Sequence, residues 1–342
     1  MSLIKELISK HRLADFSSRY SFFPIEDEDM YQFYKKQEAA IWSSTEMDFS
    51  RDRKDYENLN DDLRRIIDHV NAFFAATDGL IIDNIALRFL LEAKSTEEQA
   101  YYVTQMFIEI VHAETYSLII NSLTTEDKRK ELFEAANNWP CVKAKADWLN
   151  ANMESDKSRS HRLLVFACGE GIFFTSSFLF IFYFRSKGKL ENIIFANEQI
   201  SKDEGLHRDV GIFLHRREGK LTDEEAHQIV KEAVELECAF VDELLPKAID
   251  DLYPESVKNY VRFLGDHLLV AAEYSKLYNI NLDQLPSWMN DIAMEQKSNF
   301  YEIRVGNYKQ IDLKLALDWT KRIEGKDAIL RQAINDPLSI KF

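Results

Sequence analysis

The chain has 342 residues and a net charge of −15, which disfavours binding to nucleic-acid phosphates or to anionic membranes. Its three cysteines, Cys141, Cys168 and Cys238, are too few and too scattered for a disulfide framework or a cysteine-based zinc site. With ten Gly, six Pro and 46% hydrophobic residues, the composition favours long helices packed against each other, in one large domain or in two.

The N-terminal part of the chain contains two predicted helical regions. Its start, Met-Ser-Leu-Ile-Lys-Glu-Leu, lacks the uninterrupted apolar core of a signal peptide, so we expect a cytoplasmic protein. A helix is predicted from about residue 27 to 43, with Trp42 near its end, followed by a charged connection over 48–60. Residues 61–93 are densely apolar, and Asp78 lies in their middle. The Asp-Gly pair at 78–79 either forms a turn between two shorter helices or lies within one long helix.

The next helix, predicted from Thr96 to about Leu123, contains a polar set on an otherwise apolar face. Glu109, His112 and Tyr116 are spaced so that they point the same way on a helix, and their neighbours are apolar. A carboxylate and an imidazole buried together are costly unless something pairs them, and a metal ion does so directly.

Residues 163–184 form the most apolar stretch and are long enough to span a membrane. Glu170 lies inside this stretch, where an isolated charge is expensive in lipid, and the chain offers no partner span. We therefore expect a central helix surrounded by protein. On it, Glu170, Phe174 and Phe178 would share one face.

A helix predicted over residues 192–215 repeats the Glu-x-x-His pattern at Glu204 and His207, on a stripe that also contains Ile200 and Asp203. Random placement of eight histidines predicts about 0.7 such pairs, so one match means little. A third pair, Glu224-x-x-His227, follows a predicted helix N-cap and is interpreted as a solvated helix start. Further amphipathic helices are predicted over 222–250, 255–279 and 289–304.

Four predicted helices thus each offer one buried acid, at Asp78, Glu109, Glu170 and Glu204, and two of them add a histidine one turn later. Two Glu-x-x-His pairs with a carboxylate from each of two other helices form a di-metal carboxylate site in helical bundles. Carboxylate and imidazole ligands suit iron or manganese. Tyr116 is then placed to be oxidised at such a site, although an ordinary buried tyrosine is the commoner interpretation.

Several ordered motifs resemble the small, radical-generating subunit of class I ribonucleotide reductase, in its eukaryotic-type branch. The resemblance covers roughly residues 20–310. Its motifs are Phe-Tyr-Lys-Lys-Gln-Glu-Ala-Ala-Ile-Trp (33–42), Phe-Phe-Ala-Ala-Thr-Asp-Gly (73–79), Pro-Cys-Val-Lys-Ala-Lys-Ala-Asp-Trp (140–148), Glu-Gly-Ile-Phe-Phe (170–174), Ile-Ser-Lys-Asp-Glu-Gly-Leu-His (200–207) and Arg-Val-Gly-Asn-Tyr (304–308).

The resemblance implies a role for each matching position. The expected ligands of one iron are Asp78, Glu109 and His112, and those of the other iron are Glu170, Glu204 and His207. Tyr116 is expected to hold a stable radical, inside an apolar pocket formed by Phe174, Phe178 and Ile200. Trp42 and Asp203 are expected to relay electrons through His112, and Tyr308 to hand the radical onward. An acceptor at Asp203 also makes chemical sense, because a ligating imidazole usually donates its other N–H to a carboxylate or carbonyl.

The implied fold is an all-α, ferritin-like helical bundle with additional flanking helices over residues 1–303, followed by a C-terminal tail over 304–342. The implied protein is a homodimer with two iron ions per chain (manganese is possible), activated by oxygen, and its tail docks the large catalytic subunit that reduces ribonucleotides. Residues 313–334 depart from the short acidic tail of the family, because their composition favours a helix before the terminal Phe342. The alternatives are a related di-metal oxidase acting on a bound apolar ligand, a ferritin-like iron-binding protein and a purely structural bundle.

Overall fold

The fold is described from a computed structural model, which describes residues 21–136, 139–153, 156–290 and 292. Within them the regular structure is helical, with one isolated antiparallel bridge between Ile249 and Leu252. The α-helices in chain order are α1 (Glu28–Ala39), α2 (Arg53–Glu57), α3 (Asp61–Asn84), α4 (Leu90–Glu92), α5 (Thr96–Leu123), α6 (Glu126–Ala136), α7 (Pro140–Asn152), α8 (Arg159–Gly171), α9 (Thr175–Tyr183), α10 (Glu191–Glu218), α11 (Asp223–Leu244) and α12 (Pro254–Ala271). The predicted all-α fold class is confirmed.

The core of the bundle is built on two long helices of 28 residues each, α5 and α10. Helices α1 and α3 pack against α5, α8 packs against α10, and α11 packs against α12. The inner face of α5 contributes Tyr101, Ile108 and Ile119 to a core that is rich in aromatic side chains. The two longest helices therefore place their buried faces in the centre of the bundle.

The N-terminus of α10 is held by acids from the segment that precedes α3. The Asp52 carboxylate accepts hydrogen bonds from the backbone N–H groups of Asn192 (3.3 Å) and Ile193 (2.7 Å), and Asp55 accepts one from Leu190 N (3.1 Å). These carboxylates satisfy amides that a helix start leaves without intrahelical partners. The predicted connection over 48–60 is therefore not wholly irregular. It contains a 3₁₀ turn (Phe49–Asp52) and α2, and it fixes where α10 begins.

Helix α1 ends earlier than predicted. At the end of the helix, the Ala40 N–H donates to Gln37 O and Glu38 O. Ser43 then caps a separate 3₁₀ turn (Ser44–Glu46): its side chain accepts from the backbone N–H of Glu46, and the Glu46 side chain accepts from the backbone N–H of Ser43. Trp42 consequently lies in the connection after α1 and not on the helix.

Helix α3 passes through Asp78 without a turn and continues through a π-helical turn (Ile85–Phe89) into α4. The one-helix interpretation of residues 61–93 is therefore the better of the two. The side chain of Asp78 lies outside the described residues, as does the predicted helix over 289–304 apart from residues 289, 290 and 292.

The apolar stretch predicted as one central helix is broken into α8 and α9, with Phe174 in the break between them. Residues 159–187 are long and apolar enough to cross a membrane, yet 94% of their most apolar window is buried inside the protein. This segment is thus part of the core of the bundle, as the sequence predicted.

Candidate metal centre

The functional centre is a group of buried acids and histidines on α5, α8 and α10. Glu109, Glu170, Glu204 and His207 each offer one ligand atom, and these four atoms lie within 4.8 Å of one another. None of the four residues is more than 4% exposed. Three carboxylates without water around them are stable only beside positive charge.

The two histidines face the same two carboxylates. His112 Nδ1 lies 3.3 Å from Glu109 Oε2 and 3.1 Å from Glu204 Oε1. His207 Nδ1 lies 2.9 Å from Glu109 Oε1 and 3.2 Å from Glu204 Oε2. Glu109 and Glu204 therefore each contact both imidazoles, although the resemblance assigns each of them to one ion.

The outer nitrogens of both rings are also bound. His112 Nε2 donates to Asp203 Oδ2 at 3.0 Å, because a carboxylate can only accept. His207 Nε2 lies 2.9 Å from the side-chain amide of Gln37. Each ring is thus oriented with its Nδ1 towards the carboxylates, the arrangement found around ligating histidines.

The electrostatics of the cluster show how strongly it attracts positive charge. Burial opposes the charged form of His112, but hydrogen bonds to Asp203, Glu109 and Glu204 outweigh it and raise its pKa well above the usual value. Burial likewise opposes the charged form of His207, yet the carboxylate of Glu109, together with Glu204, raises the pKa of His207 to about 9. Burial favours protonation of Glu204, but hydrogen bonds from both imidazoles lower its pKa. The cluster therefore holds protons where no metal ion is present, and its donor set fits divalent iron or manganese.

A glutamine that the sequence reasoning missed connects the helices of the centre. Gln105 lies one turn before Glu109 on α5, and its amide nitrogen donates to Glu109 Oε1 (3.3 Å) and to Glu170 Oε1 (3.0 Å). Gln37, at His207, was also missed, although it lies within the quoted motif of residues 33–42. The only sequence signal for Gln105 is its position one turn from a predicted ligand on the same face.

Tyr116 lies one turn beyond His112 and is fully buried. Its hydroxyl donates to Asn197 Oδ1 at 3.3 Å, and its ring stacks on Phe74 with centroids 4.4 Å apart and an interplanar angle of 6°. Phe74 in turn contacts the rings of Phe174 (5.4 Å) and Phe178 (5.0 Å). The phenol is therefore fully buried, with its ring stacked on Phe74 and two further aromatic rings behind Phe74.

Of the three residues predicted to form the apolar pocket, Phe174 and Phe178 lie behind Phe74 in this aromatic wall. Ile200 is fully buried on α10. Asn197 and Phe74 touch Tyr116 directly, and neither was predicted. Their signals in the sequence are weak. Asn197 lies one turn before the predicted Ile200, and Phe74 is one of two adjacent phenylalanines.

A continuous path leads from the centre towards the surface. The Trp42 indole nitrogen donates to Asp203 Oδ2 at 2.8 Å, the same oxygen that accepts from His112. The rings of Trp42 and His112 are near-parallel at 24°, with centroids 6.0 Å apart. The structure thus brings Trp42, Asp203 and His112 together in the order that the resemblance implied.

The remaining predicted residues do not join the centre. The pair Glu224 and His227 lies in the first turns of α11, where Glu224 is exposed and His227 Nε2 contacts Ser275 O (2.8 Å). Tyr308, the helix-like stretch 313–334, Phe342 and the predicted division at 303/304 lie outside the described residues.

The chain was compared with known proteins. The sequence model of the family described as "Ribonucleotide reductase, small chain" matches residues 19–286. A ribonucleoside-diphosphate reductase small chain of Nicotiana tabacum is 40% identical over 309 residues, which cover 90% of this chain and 93% of that protein. A protein of the same name from Plasmodium falciparum is 40% identical over 86% of this chain and 84% of its own length.

Two solved structures show the same fold. The dimanganese(II) NrdF protein of Streptococcus sanguinis superposes with a TM-score of 0.74 at 21% identity, covering 81% of this chain and all of that one. The Rnr4 homodimer of Saccharomyces cerevisiae gives a TM-score of 0.72 at 24% identity, covering 86% of this chain and 99% of that one. The helical architecture, the buried carboxylate–histidine centre and the extensive identity lead to one conclusion: the chain belongs to the ribonucleotide reductase small-chain family.

Proposed function

We propose that this small chain uses two iron ions and oxygen to form a tyrosyl radical on Tyr116, which serves a large catalytic subunit in the reduction of ribonucleotides. The observation that carries the proposal is the enclosed phenol of Tyr116, one helical turn from a buried cluster of three carboxylates and two imidazoles. The two iron ions would be held by Asp78, Glu109, His112, Glu170, Glu204 and His207. When bound, they would supply the redox chemistry that couples the reduction of oxygen to the oxidation of the phenol.

The residues around the centre have separable tasks in this proposal. Asp203 accepts a hydrogen bond from the Nε2–H group of His112, which directs Nδ1 towards Glu109 and Glu204, where it would bind an ion. At His207, Nδ1 would bind an ion and Nε2 would carry the N–H group of the ring. The side-chain amide of Gln37 lies within hydrogen-bond distance of Nε2, and its oxygen is the atom that can accept from that N–H group.

Trp42 is proposed to deliver the additional electron that activation by oxygen requires, through Asp203 and His112. Its contact with Asp203 and its near-parallel ring beside His112 support a direct route. The aromatic wall of Phe74, Phe174 and Phe178 excludes water and small reductants from Tyr116. Exclusion of this kind is what lets a phenoxyl radical persist.

The experiment that tests the proposal is electron paramagnetic resonance of the apoprotein after addition of ferrous iron and oxygen. We expect about two metals per chain and a persistent tyrosyl signal. Loading with manganese under the same conditions identifies the ion that supports the radical. A protein that takes up iron and oxygen without any tyrosyl signal would overturn the proposal.

We also propose that the chain forms a homodimer through the outer face of α5. Val103, Phe107 and Ile110 are 50–56% exposed and lie along one stripe of this helix, opposite the ligands. A contiguous exposed apolar stripe on a soluble protein is typical of an interaction surface. Reduced thiols at Cys141, Cys168 and Cys238 agree with a cytoplasmic location.

We expect Phe107→Asp to weaken this dimer at least tenfold, or by about 1.4 kcal/mol, because a charge would be buried in an apolar interface. Sedimentation velocity across a concentration series measures the change. The matched control is Val270→Asp, since Val270 is an exposed apolar residue (46%) on α12. The stripe has another role if Phe107→Asp sediments like the wild type.

The tail is proposed to carry the radical to the large subunit, with Tyr308 as the carrier and Phe342 in the docking segment. Deletion of residues 309–342 should weaken binding to the large subunit, whereas Tyr308→Phe should leave binding intact and stop nucleotide reduction. Both variants should form the Tyr116 radical normally, because neither change touches the centre. Partner affinity, turnover and radical content are measured side by side. Full binding and turnover by the truncated chain would assign the tail another role.

A further inference from the structure

The break between α8 and α9 lies directly beside the metal centre. Glu170 is in the last turn of α8, and Phe174 immediately precedes α9. Helix ends leave backbone carbonyl and N–H groups without intrahelical partners, and these groups are costly when buried. Phe173 is fully buried, so the backbone at the break needs partners from elsewhere in the fold.

Two charged side chains from other helices supply these partners. Lys145 of α7 donates from Nζ to Phe173 O at 3.1 Å, on the carbonyl side of the break. Glu237 of α11 accepts from Ser176 N at 2.9 Å, on the amide side, and also from the Ser176 hydroxyl. The break is therefore held from both sides.

Lys145 and Glu237 also form an ion pair with each other, with Nζ 2.5 Å from Oε2. Lys145 is 1% exposed and Glu237 is fully buried, so water screens neither charge. The Lys145 ammonium lies over the rings of Phe73 (4.2 Å) and Phe240 (3.8 Å), which adds cation–π attraction. Phe73 is the neighbour of Phe74, whose ring stacks on Tyr116.

Stability alone does not explain this arrangement. A buried ion pair often contributes no more to folding than an apolar pair of similar volume, because desolvation offsets the attraction. What an apolar pair could not supply is a donor for Phe173 O and an acceptor for Ser176 N. The polar ends of the pair thus act on the geometry of the break.

We infer that Lys145 and Glu237 are positioning residues, which set the α8–α9 break and thereby place the Glu170 carboxylate in the metal centre and Phe174 against the wall around Tyr116. The inference rests on the proposed function of that centre. The metal-binding Glu170 precedes the break, and the radical-shielding Phe174 lies in it, so one ion pair controls both.

The main test is the double variant Lys145→Met/Glu237→Leu, which removes both charges at similar volume. We expect it to fold, and its apoprotein to bind manganese at least tenfold more weakly than the wild type, a loss typical of groups that orient metal ligands. The radical formed with iron and oxygen should decay several-fold faster in hydroxylamine. Its hyperfine splitting should change, because the splitting depends on the angle of the phenol ring.

The control is Asp266→Asn, which also removes a buried carboxylate. Asp266 accepts hydrogen bonds from the backbone N–H groups of Leu277, Tyr278 and Asn279, so this variant should lose stability while keeping metal affinity and radical decay unchanged. If the double variant fails to fold, Ser176→Ala takes its place. This variant keeps the ion pair and loses one contact to Glu237, and a smaller change in the same direction is expected.

The inference is overturned if the folded double variant has the metal affinity, radical decay rate and hyperfine splitting of the wild type. If only Ser176→Ala folds, wild-type values in that variant overturn it. Manganese affinity is measured on the apoprotein. It therefore tests the positioning role even if the wild type forms no radical, in which case the proposed function alone fails.

Discussion

Tyr116→Phe is expected to retain the fold and both metal ions and to give no stable radical. The phenylalanine ring fills the same space against Phe74, so the aromatic stack is kept. The change removes the hydroxyl that donates to Asn197, and losing one neutral hydrogen bond costs about 1 kcal/mol. The phenol that must release an electron and a proton is absent, so nucleotide reduction with the large subunit should fall to background.

Electron paramagnetic resonance, elemental analysis and thermal unfolding of Tyr116→Phe separate these effects. The matched control is Tyr101→Phe, because Tyr101 is also fully buried on α5, two turns before Glu109. That variant should keep the radical. A normal tyrosyl signal from Tyr116→Phe would move the radical to another tyrosine and reduce Tyr116 to a core residue.

Glu204→Ala and His207→Ala are each expected to lose metal. Each change removes a proposed ligand, and Glu204 contacts both imidazoles of the centre, so its loss disturbs both halves. Groups that only orient ligands cost 10–100-fold in metal affinity when removed, and the loss of a ligand should exceed about 100-fold. Metal content after gel filtration and titration of the apoprotein with manganese give the measurements.

Glu224→Ala is the control, since it removes a glutamate from the third Glu-x-x-His pair, at the exposed start of α11. It should bind metal like the wild type. The ligand assignment is wrong if all three variants retain about two metals per chain.

The sequence predicted α5 to within a residue because strong signals mark both of its ends. Ser95 caps the first turn by accepting from Glu98 N (3.0 Å), and the apolar pattern continues to Leu123. The metal centre could be predicted for a related reason. Glu-x-x-His spacing places two ligands on one face of any helix, whatever surrounds it.

The features that the sequence did not predict depend on contacts between distant segments. The sequence is continuously apolar across the α8–α9 break, so it gives no sign that the helix ends there. The groups that hold the break, Lys145 and Glu237, lie on other helices. Gln37 and Gln105 hold the centre through single amide contacts, which follow no recognisable spacing. The early end of α1 depends on a competing cap at Ser43, which a helix prediction over residues 27–43 ignored.

The shared oxygen of Asp203 has a consequence for how the centre and its proposed electron donor can be varied. Because Oδ2 accepts from both Trp42 and His112, one atom holds the indole and orients the imidazole. A substitution at Asp203 would therefore release the donor and the ligand together. The two can be separated only by changes at Trp42 or at His112 itself.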